Sequence, residues 1–172
     1  TSLAYDTPGY GYGVKDSDGV PVLQKRLAEI AKEFDVPYVL DNAWGVPFIG
    51  HDITKSGADV IIYSMDKASE SPTSGLIIGK EQYMVPIRRA LGMHGDRYGT
   101  TASYGKAAYV VFDPGKEALL GMIAALKELR DNPDELKKPV DDMYKIVVEE
   151  FDQIHPKLRK GIIISKSYNS RA

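Results

Sequence analysis

Two short apolar runs, each stopping at a polar residue, constrain this chain more than any other feature. The first is VPYVLD at residues 36–41 and the second is GADVIIYSM at residues 57–65. Both are rich in β-branched and aromatic side chains, which favour strands. Each suits a strand buried on both faces whose carboxyl end opens into a site. Only a short helical stretch, at residues 51–56, fits between them. Two such strands imply a parallel pair in an α/β sheet with a right-handed crossover.

The surroundings extend that sheet. SLAYD, near Thr1, reads as a further strand, and DTPGYGYGVKDSDGVP after it as an irregular connection. Leu23, Leu27, Ile30, Ala31 and Phe34 then fall on one helical stripe, with Lys25, Arg26, Glu29, Lys32 and Glu33 outside it. This predicts a surface helix that covers the sheet. SGLIIGK at residues 74–80 returns too soon for a crossover helix and is expected antiparallel to the strand before it. The predicted fold class is α/β, a mixed, mostly parallel sheet flanked by helices.

Beyond Lys80 the pattern turns helical. Met122, Ile123, Leu126 and Leu129 form a stripe, with Pro114 suited to the first turn. Leu136, Val140, Met143, Val147 and Ile154 mark a second long helix, with Pro139 near its start or at a kink. GIIISKS, after Pro156, is expected to open a smaller second domain. Because position 1 is threonine and the chain stops just after that apolar run, it is expected to be a piece of a longer chain, with its main domain incomplete.

Several function classes find no support. With 22 Lys and Arg against 24 Asp and Glu, the net charge of -2 gives no electrostatic reason to expect nucleic acid or an anionic membrane as partner. No apolar run reaches membrane-spanning length. The three histidines are far apart and form no metal-binding spacing, so no metal is expected. The absence of cysteine excludes a disulfide framework and a thiol nucleophile and fits a reducing compartment, with the cytoplasm as default.

The chemistry-bearing residues lie at the ends of the two central strands. Asp41 closes the first, and Lys67 stands three positions after Ser64, where the β-branched part of the second ends. In a parallel pair both sit at the carboxyl edge, where α/β proteins bind ligands. A desolvated lysine there can act as nucleophile or base. A solvated loop lysine and a strand-end cap would carry the same letters. Ala43 and Gly45 are small enough to admit a flat ligand, and the Ser, Pro and Gly loop after Lys67 could shape a pocket.

VPYVLDNAWG followed by GADVIIYSMDKASESPTSGLIIGK, with 26 positions from acid to lysine, resembles the central segment of pyridoxal-phosphate enzymes of the aspartate aminotransferase fold, fold type I. VPVLQKRLAEIAKEFDVPYVLDNA, the SMDK form of the lysine motif and PGKEALLGMIAALKEL resemble the branch holding bacterial selenocysteine synthase and similar ammonia lyases. The likeness runs from about Val20 to Leu129. It implies that residues 1–132 are part of the cofactor-binding large domain and 133–172 a linking helix and the start of the small C-terminal domain.

The resemblance also implies roles. Lys67 would form a Schiff base with the cofactor aldehyde and move protons at the substrate α-carbon. Asp41 would pair with the pyridine nitrogen and keep the ring an electron sink. Ala43 would pack on one ring face, Ser64 would hydrogen-bond the cofactor phosphate, and Trp44 would line the ring or substrate or simply pack. Asp66 and Trp44 depart from the family, where His often precedes the lysine and His or Gln often takes the place of Trp44. The phosphate loop, the stacking aromatic and often the carboxylate-binding arginine fall outside these residues in the family.

Other patterns are weaker. GYGYG at residues 9–13 echoes a dinucleotide loop, but the third glycine is misplaced and no helix opens directly after it, so it reads as loop. Tyr10 and Tyr12 are possible substrate-side residues. Arg88, Arg89, His94 and Arg97 lie among glycines and hydroxyls. In dimers of this family that region can reach the neighbour's cofactor phosphate, so Arg97 and Thr100 are candidates, against a solvated helix end and loop.

The expected function is a pyridoxal-phosphate lyase or transferase acting on an amino acid or amino sugar acid, by α,β-elimination or replacement. An aminotransferase and a cofactor-free binding or assembly module are the alternatives, and a nucleotide-binding domain lacks a phosphate loop in the sequence. The implied partner is a second copy, as a homodimer or higher homo-oligomer. Nucleic acid is not expected, although selenocysteine synthases act on charged tRNA.

Overall fold

Four strands form one sheet in the computed structural model, which describes residues 1–3, 14–45, 47–48, 53–67, 71–90 and 115–166. They are β1 (Ser2–Leu3), β2 (Val39–Asp41), β3 (Val60–Ser64) and β4 (Gly75–Gly79), paired in that order. The first three are parallel and β4 is antiparallel to β3, so the sheet is mixed as expected. A 3₁₀ turn at Ile53–Ser56 falls within the predicted connector. β2 begins only at Val39 because the chain before it still closes a helix: Asp35 takes a φ of 51°, and the Val36 N–H donates to the Ala31 carbonyl at 2.9 Å.

The expectation that the central strands are buried on both faces is corrected. Side chains alternate across a strand. Tyr38, Leu40, Ile61, Tyr63 and Met65 join one buried cluster, while Val39, Asp41, Ile62 and Ser64, on the other face, are half-buried. Val60 is the exception, buried where Met84 of α2 (Glu81–Ala90) approaches Gly79.

Helix α1 (Val22–Glu33) covers the buried cluster, but with a face rotated from the predicted stripe. Leu27, Ala28 and Ala31 meet the sheet and Gln24 is fully buried, whereas Ile30 is exposed and Phe34 is 69% exposed. Small alanines let the helix settle against the bulky Tyr38 and Tyr63, and Phe34 leaves the helix at its cap, just before the left-handed Asp35. Before α1, residues 14–20 are ordered by Asp16, whose carboxylate accepts from the N–H groups of Asp18 at 2.9 Å and Val20 at 3.1 Å and pairs with Lys25.

Helix α3 (Lys116–Asp131) packs Met122 and Leu126 on the same cluster and buries Leu129. Its Gly121 lies so near Pro72 that an added Cβ would fall 2.5 Å from the proline ring, which brings the helix against the loop that follows Lys67. Pro114 lies outside the described residues. Helix α4 (Pro133–Gln153) is the expected second long helix, with Pro133 in its first turn and Pro139 inside it. It buries none of its residues, and Met143, Ile146 and Val147 are exposed. GIIIS forms no strand: after the short α5 (Pro156–Arg159), residues 162–166 have no regular structure, though Lys166 pairs with Asp141 of α4 at 2.5 Å. Among the described residues no helix is long and apolar enough to cross a membrane.

At the amino edge of β3, Asp59 ties three elements together. One carboxylate oxygen accepts the Tyr38 N–H at 2.8 Å and the other accepts Lys80 Nζ at 2.5 Å. The Asp59 carbonyl accepts from Lys80 N–H at 2.9 Å, and its own N–H donates to the Tyr38 carbonyl at 2.8 Å. Burial opposes ionisation of this carboxyl, but the hydrogen bonds from Lys80 and from the Tyr38 N–H outweigh it and hold it below its ordinary value. At the opposite edge, a turn follows β2, closed by Gly45 N–H donating to the Asn42 carbonyl at 3.0 Å. The Asn42 amide lies so close over Gly45 that an added Cβ would fall 2.3 Å from its Oδ1.

Two outcomes follow from these contacts. Asp59→Ala should lower stability to urea by about 1–3 kcal/mol, because the Tyr38 N–H loses its acceptor. A carboxyl held low in the folded state stabilises above its unfolded value, about 4, and that gain is lost as pH falls through the folded value. The gap between wild type and Asp59→Ala should therefore narrow on acidification below about pH 4, and a constant gap would refute the assignment. Gly45→Ala should also destabilise by about 1–3 kcal/mol, since Asn42 is buried and cannot swing aside freely. An unchanged melting temperature would show that the turn relaxes without cost.

Candidate active site

The parallel register brings the two strand ends to one edge. Asp41 pairs with Ile62, so Ser64, two residues on, projects from the same face as Asp41. Asp41 is half-buried, and its Oδ1 accepts the Ala43 N–H at 3.0 Å, a bond that starts the turn carrying Ala43 and Trp44. The chain leaving β3 turns at residues 65–67, and Lys67 reaches back so that its Nζ stands 4.7 Å from the centre of the Trp44 ring. A cation at that distance from an indole is attracted by the ring quadrupole. The two stretches read separately in the sequence are thus in contact.

The loop after Lys67 is stitched from its own ends. Met65 N–H donates to the Ser74 carbonyl at 2.9 Å, and the buried Ser71 hydroxyl donates to the Met65 carbonyl at 2.8 Å. Ser64 Oγ donates to the Asp66 carboxylate. These bonds shape residues 64–67 into a corner, with Asp66 and Lys67 exposed at its tip.

Asp41, Ala43, Trp44, Ser64 and Lys67 therefore share one edge of the sheet. The other candidates do not join them within the described residues. Arg88 lies on α2, where it pairs with Glu81 at 2.8 Å, and the backbone of Arg89 lies on the same helix. Tyr10, Tyr12, the residues 9–13, His94, Arg97 and Thr100 lie outside the described residues. Sequence reading missed two buried amides, of which only Asn42 adjoins the candidate residues. Asn42 is fully buried beside Asp41, and Gln24 is fully buried on α1; neither side-chain amide has a hydrogen-bond partner among the described residues. Asn42 continues the inward alternation of Tyr38 and Leu40, so strand periodicity carried the signal. Gln24 belongs to neither the apolar stripe nor the charged face read from the sequence.

Pyridoxal phosphate can be tested against these side chains. Asp41 keeps its Oδ2 clear of the turn bond at Oδ1, as a carboxylate facing a ring N–H requires. Ala43, half-buried and small, leaves room for a flat ring, whereas the space over Gly45 is taken by Asn42; Lys67 supplies a primary amine at the same edge. Trp44 adds an aromatic wall that is half-buried. Ser64 fits less well, since its proton is committed to Asp66 and a phosphate would have to replace that carboxylate. The donor set fits the ring end and the aldehyde end of the group, with the Ser64 contact requiring a rearrangement.

No family model matches the chain. The chain is 33% identical over 117 residues, 68% of its length, to a 5'-C-glycyluridine monooxygenase-decarboxylase of a Streptomyces species, and covers 25% of that protein. It is 24% identical over 135 residues to the L-seryl-tRNA(Sec) selenium transferase of Carboxydothermus hydrogenoformans, a match covering 69% of the chain and 28% of the transferase. Among solved structures, that of a D-glucosaminate-6-phosphate ammonia-lyase superposes with a TM-score of 0.49 at 24% identity, over 63% of this chain and 25% of that one. The chain thus spans about a quarter of the length of the curated relatives it matches. The relatives it matches are fold type I pyridoxal-phosphate enzymes, and its mixed, mostly parallel sheet flanked by helices fits an incomplete large domain of that fold.

Proposed function

We propose that this chain carries the cofactor-binding centre of a pyridoxal-phosphate lyase or transferase that labilises a bond at the α-carbon of an amino acid or amino sugar acid, by α,β-elimination or replacement. The observation that supports this most directly is the contact between Lys67 and Trp44 at 4.7 Å, which joins the lysine motif to the turn that begins at Asp41. When bound, pyridoxal phosphate supplies an aldehyde carbon and a ring that accepts electrons. Asp41 holds a proton at the ring nitrogen, Ala43 and Trp44 border the ring, and Lys67 binds the aldehyde and carries a proton to and from the α-carbon. Ser64 turns from Asp66 to the phosphate. Residues 1–132 serve as part of the large domain and 133–172 as the link to a smaller one, with a second copy as partner.

The name of the selenium transferase, which joins a seryl group to selenium transfer, favours replacement at the β-carbon. The name of the Streptomyces relative favours a second reading, decarboxylation at the same α-carbon. Release of ammonia or of carbon dioxide from an amino acid panel separates the two.

The cofactor assignment is tested by incubating the full-length protein with pyridoxal phosphate, reducing with borohydride and mapping peptides by mass. A pyridoxyl group should appear on Lys67 and be absent from Lys67→Met. Asp41→Asn should still acquire the adduct but lose at least about a hundredfold in turnover, because the ring nitrogen loses its charged partner. A folded protein with unmodified Lys67 would overturn the reading.

A further inference from the structure

We propose that Trp44 is a positioning residue for Lys67: its indole face holds the lysine amine over the carboxyl edge of the sheet and restrains it until the amine is drawn off to react. The inference rests on the reading of Lys67 as the lysine that binds the cofactor aldehyde.

The argument begins with the constraint on each partner. Trp44 stands in a turn whose shape is set from both ends. Ala43 N–H is bound by Asp41 Oδ1 at 3.0 Å, and Gly45 N–H by the Asn42 carbonyl at 3.0 Å. The fully buried Asn42 fills the space over Gly45, so the turn has little freedom to move the indole. Lys67 has the opposite character. It is exposed, at the tip of the corner that leaves β3, on a flexible four-carbon stem. Its nearest carboxylate in sequence, Asp66, is engaged by the Ser64 hydroxyl. What gathers the amine is the ring, 4.7 Å away.

A fixed indole facing a flexible cation reduces the volume the amine explores, and it does so beside Asp41, where the ring of the cofactor would lie. The same contact must be given up before the amine attacks a carbonyl carbon. Trp44 thus biases Lys67 toward the site while slowing its reaction with any electrophile that arrives elsewhere. A residue merely filling space would do neither.

The test uses the full-length protein without cofactor, so it stands apart from the borohydride experiment. Brief acetylation with an N-hydroxysuccinimide ester, read by peptide mass, compares Lys67 with Lys55, which is exposed and distant in sequence. Trp44→Ala should raise the ratio of Lys67 to Lys55 labelling about two- to fivefold, as expected for loss of an exposed cation–π contact, and Trp44→Phe should restore most of the restraint. An equal ratio in all three proteins would overturn the proposal. Should Trp44→Ala fail to fold, the indole itself reports, since Trp44 is the one tryptophan of this sequence: Lys67→Met should alter tryptophan emission and Lys55→Met should leave it unaltered. An emission insensitive to Lys67→Met would equally overturn the proposal. A labelling response with no pyridoxyl adduct would instead leave the contact standing and overturn the cofactor assignment.

Discussion

The site depends first on the parallel register between β2 and β3. Because side chains alternate along a strand, a slip of one residue would exchange the faces of every side chain in the moving strand. Asp41 would then turn toward Leu27 and Ala31 of α1, and Leu40 would be expelled. Two features prevent this. At the amino edge, the Asp59 carboxylate grips the Tyr38 N–H and Lys80 together. In the middle, Leu40, Ile61, Tyr63 and Met65 share one cluster that no slipped pairing could rebuild.

What the register leaves open, the loops decide. After β2 the chain turns at once, with Asp41 binding the Ala43 N–H and Asn42 packed over Gly45. After β3 it turns again, with Ser64 bound to Asp66 and the Ser71 hydroxyl bound to the Met65 carbonyl. These two corners bring an acid, an indole, a hydroxyl and an amine to one edge. Helix α3 presses on the second corner through Gly121 and Pro72, so the packing of a distant helix helps hold the lysine loop.

The cost of this arrangement is visible in the polar groups it leaves aside. Asn42 and Gln24 are fully buried, yet their amides find no partner among the described residues. A buried amide with no partner of any kind opposes folding by about 1–3 kcal/mol. Such exceptions concentrate where geometry serves something other than stability. Both lie at positions that a purely structural pattern would fill with an apolar side chain, and Asn42 directly follows the acid of the site.

Much of this was legible in the letters. Strand-end polarity placed Asp41 and Lys67 at a common edge, the short loop after Lys67 required an antiparallel return, and the long apolar periodicities after Lys116 marked two helices. These are local properties, governed by side-chain alternation and connection length, and they survive any reasonable packing. The face of α1, the one-sided burial of the central strands, the hold of Asp66 on Ser64 and the approach of Lys67 to Trp44 were not legible. Each depends on how close two elements come and on which hydrogen-bond partner wins. Phe34 and Ile30 make the point together: hydrophobicity alone assigned both to the covering face of α1, and both are exposed in the folded chain, where Leu27, Ala28 and Ala31 meet the sheet instead. The sequence by itself determined the order of the elements and the edge on which the candidate residues lie; only the tertiary structure decided which side chains meet there, because contact distance is a property of packing and not of pattern.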